Sequence, residues 1–143
     1  MKKVFLDTNI LLDAILIREP FAEDTRSLFR YCVSTLDGYI AAHSITNIFY
    51  ILHESLNRPL EECRENIIKL CSFFNVVSIG KDKILRAVQN LSFNDFEDAL
   101  QTECADEVAV DFIVTRNPKD FVVAAVPVIT PKDILDLLRN GKI

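Results

Sequence analysis

Glycine is scarce in this chain, with three residues in 143, at Gly38, Gly80 and Gly141. No Gly-rich phosphate loop can be built from them, which excludes a P-loop nucleotide site. Neither an internal repeat nor a low-complexity segment is present. Long apolar runs are absent too: the longest, residues 121–129, is too short to span a bilayer and contains Pro127. No apolar leader-like stretch precedes the first acid, so a soluble, cytoplasmic protein with no membrane partner is expected. None of the four cysteines (Cys32, Cys63, Cys71, Cys104) belongs to a C-x-x-C pair. Cys63 and Cys71, placed on one helix, would stand roughly 12 Å apart, beyond disulfide reach. Buried, reduced thiols are expected rather than zinc or a disulfide framework. The two histidines, His43 and His53, lack zinc-site spacing. Basic charge is also short, 16 Lys and Arg against 21 Asp and Glu, for a net charge of −5. That balance disfavours a protein that coats nucleic acid through a broad basic surface. It suits a small acidic pocket that holds cations.

What remains is a chain that is half hydrophobic and long enough for one domain, residues 1–143, with a well-buried core. Apolar runs of strand length fall at residues 3–7, 38–42, 76–79, 112–115 and 127–130. Segments of helical period fall between them, at 10–17, 21–36, 44–56, 60–74, 82–91, 95–108 and 131–139. Pro131 at a first helical turn and Gly141 just past the last one fit the usual start and stop of a helix. Strand–helix alternation predicts an α/β fold, a three-layer α/β/α sandwich around a five-stranded, mostly parallel sheet. In such sheets ligands bind beyond the C-terminal ends of the strands.

Functional side chains are therefore sought at that edge. The first apolar run ends on Asp7, where an unpaired buried carboxylate would be costly, and Thr8 or Asn9 is expected to cap the helix that follows. Farther on, "NDFEDALQ" places Asp95, Glu97 and Asp98 at a helix start. Asp95 and Asp98, three apart, share a face there. The fourth strand runs into Arg116-Asn117-Pro118-Lys119-Asp120. Taken singly, Asp95 is an ordinary N-cap, Asp98 a first-turn acid, and Asn117 and Asp120 turn residues. Taken with Asp7, they predict one pocket in which several carboxylates converge. Crowded carboxylates repel and rise in pKa unless a cation sits among them, and an all-oxygen donor set selects a hard ion, Mg²⁺ or Mn²⁺.

The segments "FLDTNILLD" (5–13), "SITNIFYIL" (44–52), "DFEDALQ" (95–101) and "FIVTRNPKDF" (112–121), in this order and spacing, resemble those of the PIN-domain family. The resemblance implies the strand order 3-2-1-4-5 and Mg²⁺- or Mn²⁺-dependent endonucleolytic cleavage of RNA. It also implies kinship with the toxin half of toxin–antitoxin pairs, hence an antitoxin protein partner, and a homodimer. Carried over by position, Asp7 and Asp98 match the metal-binding acids, with Asp95 assisting, and Thr115 matches a hydroxyl near the pocket. Asn47 and Asn117 stand where many members have Glu and Asp. They are expected to orient water or phosphate beside Thr115, while Arg116 and Lys119 steer the RNA backbone. Asn9, Glu97 and Asp120 are secondary candidates. The two amides also support an alternative, a module of this fold that binds RNA or a protein without cutting. A phosphatase using Asp7 as nucleophile usually repeats the acid two residues on, where this chain has Asn9. A receiver domain needs an acceptor acid after the third strand, where the nearest is Asp82.

Overall fold

The short apolar runs become the strands of a single sheet in the computed structural model, which describes residues 1–143. β1 (Lys3–Leu6), β2 (Asp37–Ala41), β3 (Asn75–Val77), β4 (Phe112–Val114) and β5 (Val128–Ile129) are all parallel, in the order β3-β2-β1-β4-β5. The register pairs Val4 with Gly38 on one side and with Phe112 on the other, and Leu6 with Val114. Side chains alternate across the sheet as a strand requires. Val4, Leu6, Ile40 and Val114 enter the larger core, with α1 (Thr8–Ile15), α2 (Ala22–Ser34), α3 (Ala42–Tyr50), α4 (Leu60–Phe73) and α7 (Pro131–Arg139). Phe5, Ala41, Val77 and Ile113 face the other way, against Cys104 and Ala105 of α6 (Phe96–Glu107). Leu100 and Ala99 of α6 in turn pack on Ala87 of α5 (Lys81–Gln89).

Gly38 is required by packing. A Cβ there would lie 2.8 Å from Cδ1 of Phe74 and 3.2 Å from Sγ of Cys32. All four cysteines are free; three are buried, but Cys71 is exposed on α4, against the expectation of buried thiols throughout. No helix is long and apolar enough to cross a membrane.

Three local departures from the sequence expectations shape the edge where strands become helices. The strands stop one or two residues early, so that Asp7 and Thr115 lie just beyond β1 and β4. Their amides still extend the ladder, Asp7 N–H to Val114 O at 3.0 Å and Thr115 N–H to Ile129 O at 3.0 Å. The residue at the N-cap of α1 is Asp7, not Thr8 or Asn9, and its side chain makes no capping bond because other donors hold it. The helix expected over 44–56 starts two residues earlier, at Ala42, and widens into a π-helical turn over Ile51–Ser55, where Leu56 N–H reaches Ile51 O at 3.0 Å. Such one-turn π segments occur often at functional sites.

Candidate active site

Beyond the C-terminal ends of the central strands lies a polar cleft of about 400 Å³. Five carboxylates line it: Asp7 from the end of β1, Asp95, Glu97 and Asp98 from the start of α6, and Asp120 from the turn after β4. Asn9 of α1 and Asn47 of α3 add amides, and Tyr50, Ile51 and Leu12 supply the apolar wall. The crossing order of the sheet is the reason these groups meet. β1 sits at its centre beside β4, which brings the start of α1 next to the chain that leaves β4.

Asp7 is buried, and each of its oxygens accepts one hydrogen bond. Gln101 Nε2 donates to Oδ1 at 3.0 Å and Thr115 Oγ1 donates to Oδ2 at 2.8 Å. Thr115 is itself completely buried and accepts from Asn117 N–H at 3.2 Å. These two donors account for the carboxylate at the end of an apolar strand, since a buried charge is tolerable when it is hydrogen-bonded.

Asp95 caps α6, its Oδ1 accepting from Asp98 N–H at 3.0 Å. Asp98 stands half-buried on the first turn. Burial first, then the charges of Asp95, Asp7, Asp120 and Glu97, push its carboxyl up to about 7. Burial is the larger cause and the surrounding negative charge adds to it, an arrangement that a bound cation would relieve. His43 lies outside the cleft lining but next to Glu97. Its Nε2 lies 3.8 Å from Glu97 Oε1, and both ring nitrogens are buried without a hydrogen-bond partner. Burial lowers the imidazole pKa, while Glu97 and Asp7 pull it partly back up.

No three His, Cys, Asp or Glu side chains close on a common point to cage a metal by themselves. The donor set is nonetheless all oxygen, and Mg²⁺ is ordinarily held by one or two carboxylates together with water and phosphate oxygens. Asp7 and Asp98 fit that need, and Asp95 keeps Oδ2 free beside them.

The cleft thus gathers Asp7, Asn9, Asn47, Asp95, Glu97, Asp98 and Asp120. Thr115 and Asn117 lie behind Asp7 rather than on the lining. Lys119 is exposed on a single 3₁₀ turn over Pro118–Phe121. Arg116 is not brought to the cleft. Its Nε and Nη2 donate to Asp13 at 2.6 and 3.2 Å, and its guanidinium lies over the Phe21 ring, 4.1 Å from the centroid. Asp13, on α1, has no solvent exposure, so it claims this cation to avoid an unpaired buried charge.

Gln101 and Asp13 escape a reading of the sequence because each is defined by a partner about a hundred residues away. One signal did exist for Gln101: it stands three residues after Asp98, on the same helical face.

Residues 3–119 match the family model described as PIN domain. No curated protein matches the chain in sequence. Several solved structures share its fold. The DNA-bound VapBC from Salmonella typhimurium superposes with a TM-score of 0.70 at 19% identity, over 92% of this chain and 99% of that one. A toxin–antitoxin complex from Klebsiella pneumoniae gives 0.66 at 23% identity, over 90% and 97% of the two chains. VapC20 from Mycobacterium tuberculosis, described as a toxin that cleaves the sarcin–ricin loop, gives 0.66 at 13%, over 86% and 95%.

Proposed function

Because this chain belongs to the PIN-domain family, we propose that it is a divalent-metal-dependent ribonuclease, the toxin of a toxin–antitoxin pair. The observation that carries this proposal is the cleft itself. Asp7 and Asp98 line one pocket at the C-terminal edge of the sheet, and burial first, then the carboxylates around it, raise the Asp98 carboxyl to about 7.

Asp7 and Asp98 would hold Mg²⁺ or Mn²⁺, with Asp95 in reserve. When bound, such an ion supplies positive charge against a phosphodiester and lowers the pKa of water in the site. The remaining steps belong to the protein. Gln101 and Thr115 fix the Asp7 carboxylate. The Asn47 and Asn9 amides, which can both donate and accept, orient the attacking water and a phosphate oxygen. Water would attack phosphorus in line, forming a new P–O bond as the bond to the departing ribose oxygen breaks, with the water's proton lost to solvent and one from solvent taken up by that oxygen. Lys119, exposed beside the cleft, is the available cation for the RNA backbone, since Arg116 is engaged by Asp13.

RNA as substrate is supported by the solved VapC20 structure, described as that of a toxin cleaving the sarcin–ricin loop. An antitoxin partner is supported by the toxin–antitoxin complexes that share the fold. A second copy of this chain is a further partner of the proposal, for which Val33, Tyr50 and Leu56 offer exposed apolar side chains.

Purified protein with Mn²⁺ should cleave single-stranded RNA, and Asp7→Asn should reduce the rate by at least a hundredfold. Cleavage unchanged by that substitution would belong to a contaminant and end the assignment. One observation favours a second reading, a module that binds RNA without cutting it: Asn47 and Asn117 are amides where the resemblance implies acids, and no three acidic side chains close on a common point. Gel-shift of RNA with no Mn²⁺ heat in calorimetry would select it.

A further inference from the structure

Gln101 is 1% exposed, in the middle of α6, and its bond to Asp7 is one of several that it makes there. Its amide orientation is fixed by chemistry. Thr8 N–H can only donate, so the atom 3.0 Å from it must be Oε1, which leaves Nε2 to donate to Asp7 Oδ1. Thr8 Oγ1 also reaches Oε1 at 3.3 Å and pairs with Ser44 Oγ at 2.6 Å. A buried chain of hydrogen bonds therefore runs from α3 through α1 and α6 to the end of β1. Thr115 continues it on the far side of Asp7. An ionised carboxylate offers about four lone-pair directions, and Gln101 and Thr115 use one on each oxygen. One on each is left for a ligand.

The same glutamine lies one helical turn from Asp98. We propose that Gln101 is the positioning residue of the metal site. It ties Asp7 to the helix that carries Asp98, and so sets the separation and rotation of the two acids that share the cation. This rests on the metal-dependent reading above. Asp7 and Asp98 come from segments about ninety residues apart, and Gln101 is the side chain that bonds one segment to the other inside the site.

The test is Mn²⁺ binding to the metal-free protein, by calorimetry well below the unfolding temperature. Gln101→Met keeps the length and volume of the side chain and removes all three of its hydrogen bonds. Outer-shell substitutions of this kind weaken metal binding roughly 10- to 100-fold, and a Kd at least tenfold weaker than wild type is expected. A folded Gln101→Met protein with the wild-type Kd overturns the inference and leaves the metal site standing. Wild-type protein that takes up no Mn²⁺ overturns the metal site and the inference together. A merely structural glutamine would lower the unfolding temperature and leave the affinity of the folded molecules unchanged. Should Gln101→Met not fold, the wild-type protein supplies the answer by NMR. The Gln101 side-chain amide signals should shift on Mg²⁺ titration in step with the Asp98 backbone amide, and signals that stay put refute the coupling.

Discussion

Asp98 should make the metal-free protein less stable as pH rises, opposite to the usual behaviour of a paired carboxylate. Its ordinary pKa is 3.8 and in the folded chain it is pushed up to about 7. Between those values the folded state keeps a proton that the unfolded state has released, so stability falls with rising pH through that window and levels off above about 7. A separation of about 3 pH units at ~1.4 kcal/mol each sets a ceiling of about 4 kcal/mol. Asp98 is only half-buried, and solvent screening cuts the effect to about 2 kcal/mol. Asp98→Asn removes the ionisable group while keeping its size. In EDTA at pH 8 the variant should be about 2 kcal/mol more stable than wild type, and at pH 4 the two should coincide. The assay is urea unfolding followed by circular dichroism at half-unit pH steps, with the wild-type minus variant difference isolating Asp98. Excess Mg²⁺ should reverse the order, because a ligand at 100 times its Kd stabilises the native state by about 2.7 kcal/mol. A difference that is flat across pH 4–8, or a variant less stable than wild type at pH 8 without metal, would refute the crowding described for this cleft.

Two further perturbations test the frame around the site. Arg116→Ala leaves Asp13 buried without its close cation, since Arg18 stands 3.6 Å off and is more exposed; about 3 kcal/mol of stability should be lost in urea titrations. A loss below 1 kcal/mol would return Arg116 to the candidates for substrate contact. Gly38→Ala should cost about 1–3 kcal/mol. Phe74, the ring its Cβ would strike, is buried and held edge-on to Phe29 at 4.9 Å and to Phe73 at 6.4 Å. A thermal melt matching wild type would show that this wall is softer than its contacts imply.

Much of the fold was legible because its signals are local. The five strands and most of the α-helices follow from apolar patterning within a short window, and Thr130 and Pro131 announce α7 by capping chemistry, Thr130 Oγ1 accepting from Asp133 N–H at 3.2 Å. Asp7 was conspicuous because an acid ends an apolar run, and Asp98 because it recurs on one face with Asp95. The π turn at Ile51–Ser55 was not legible, since nothing in the residues 44–56 breaks the ordinary helical spacing. Arg116 was expected at the substrate because it leaves a strand at the right edge. What redirects it is Asp13, whose need for a cation arises only once α1 is packed and its carboxylate loses all solvent. Gln101 follows the same logic: a polar residue in a helix is unremarkable until its facing partner is known.

The cleft also has no local existence. Asp7 is completed by Gln101 and Thr115, which lie 94 and 108 positions downstream. A chain that ends before β4 still carries Gln101 but lacks Thr115, and so holds the first acid with one of its two oxygens unsupported. On the nuclease reading proposed above, the site is complete only once the residue that follows the fourth strand has joined the first acid.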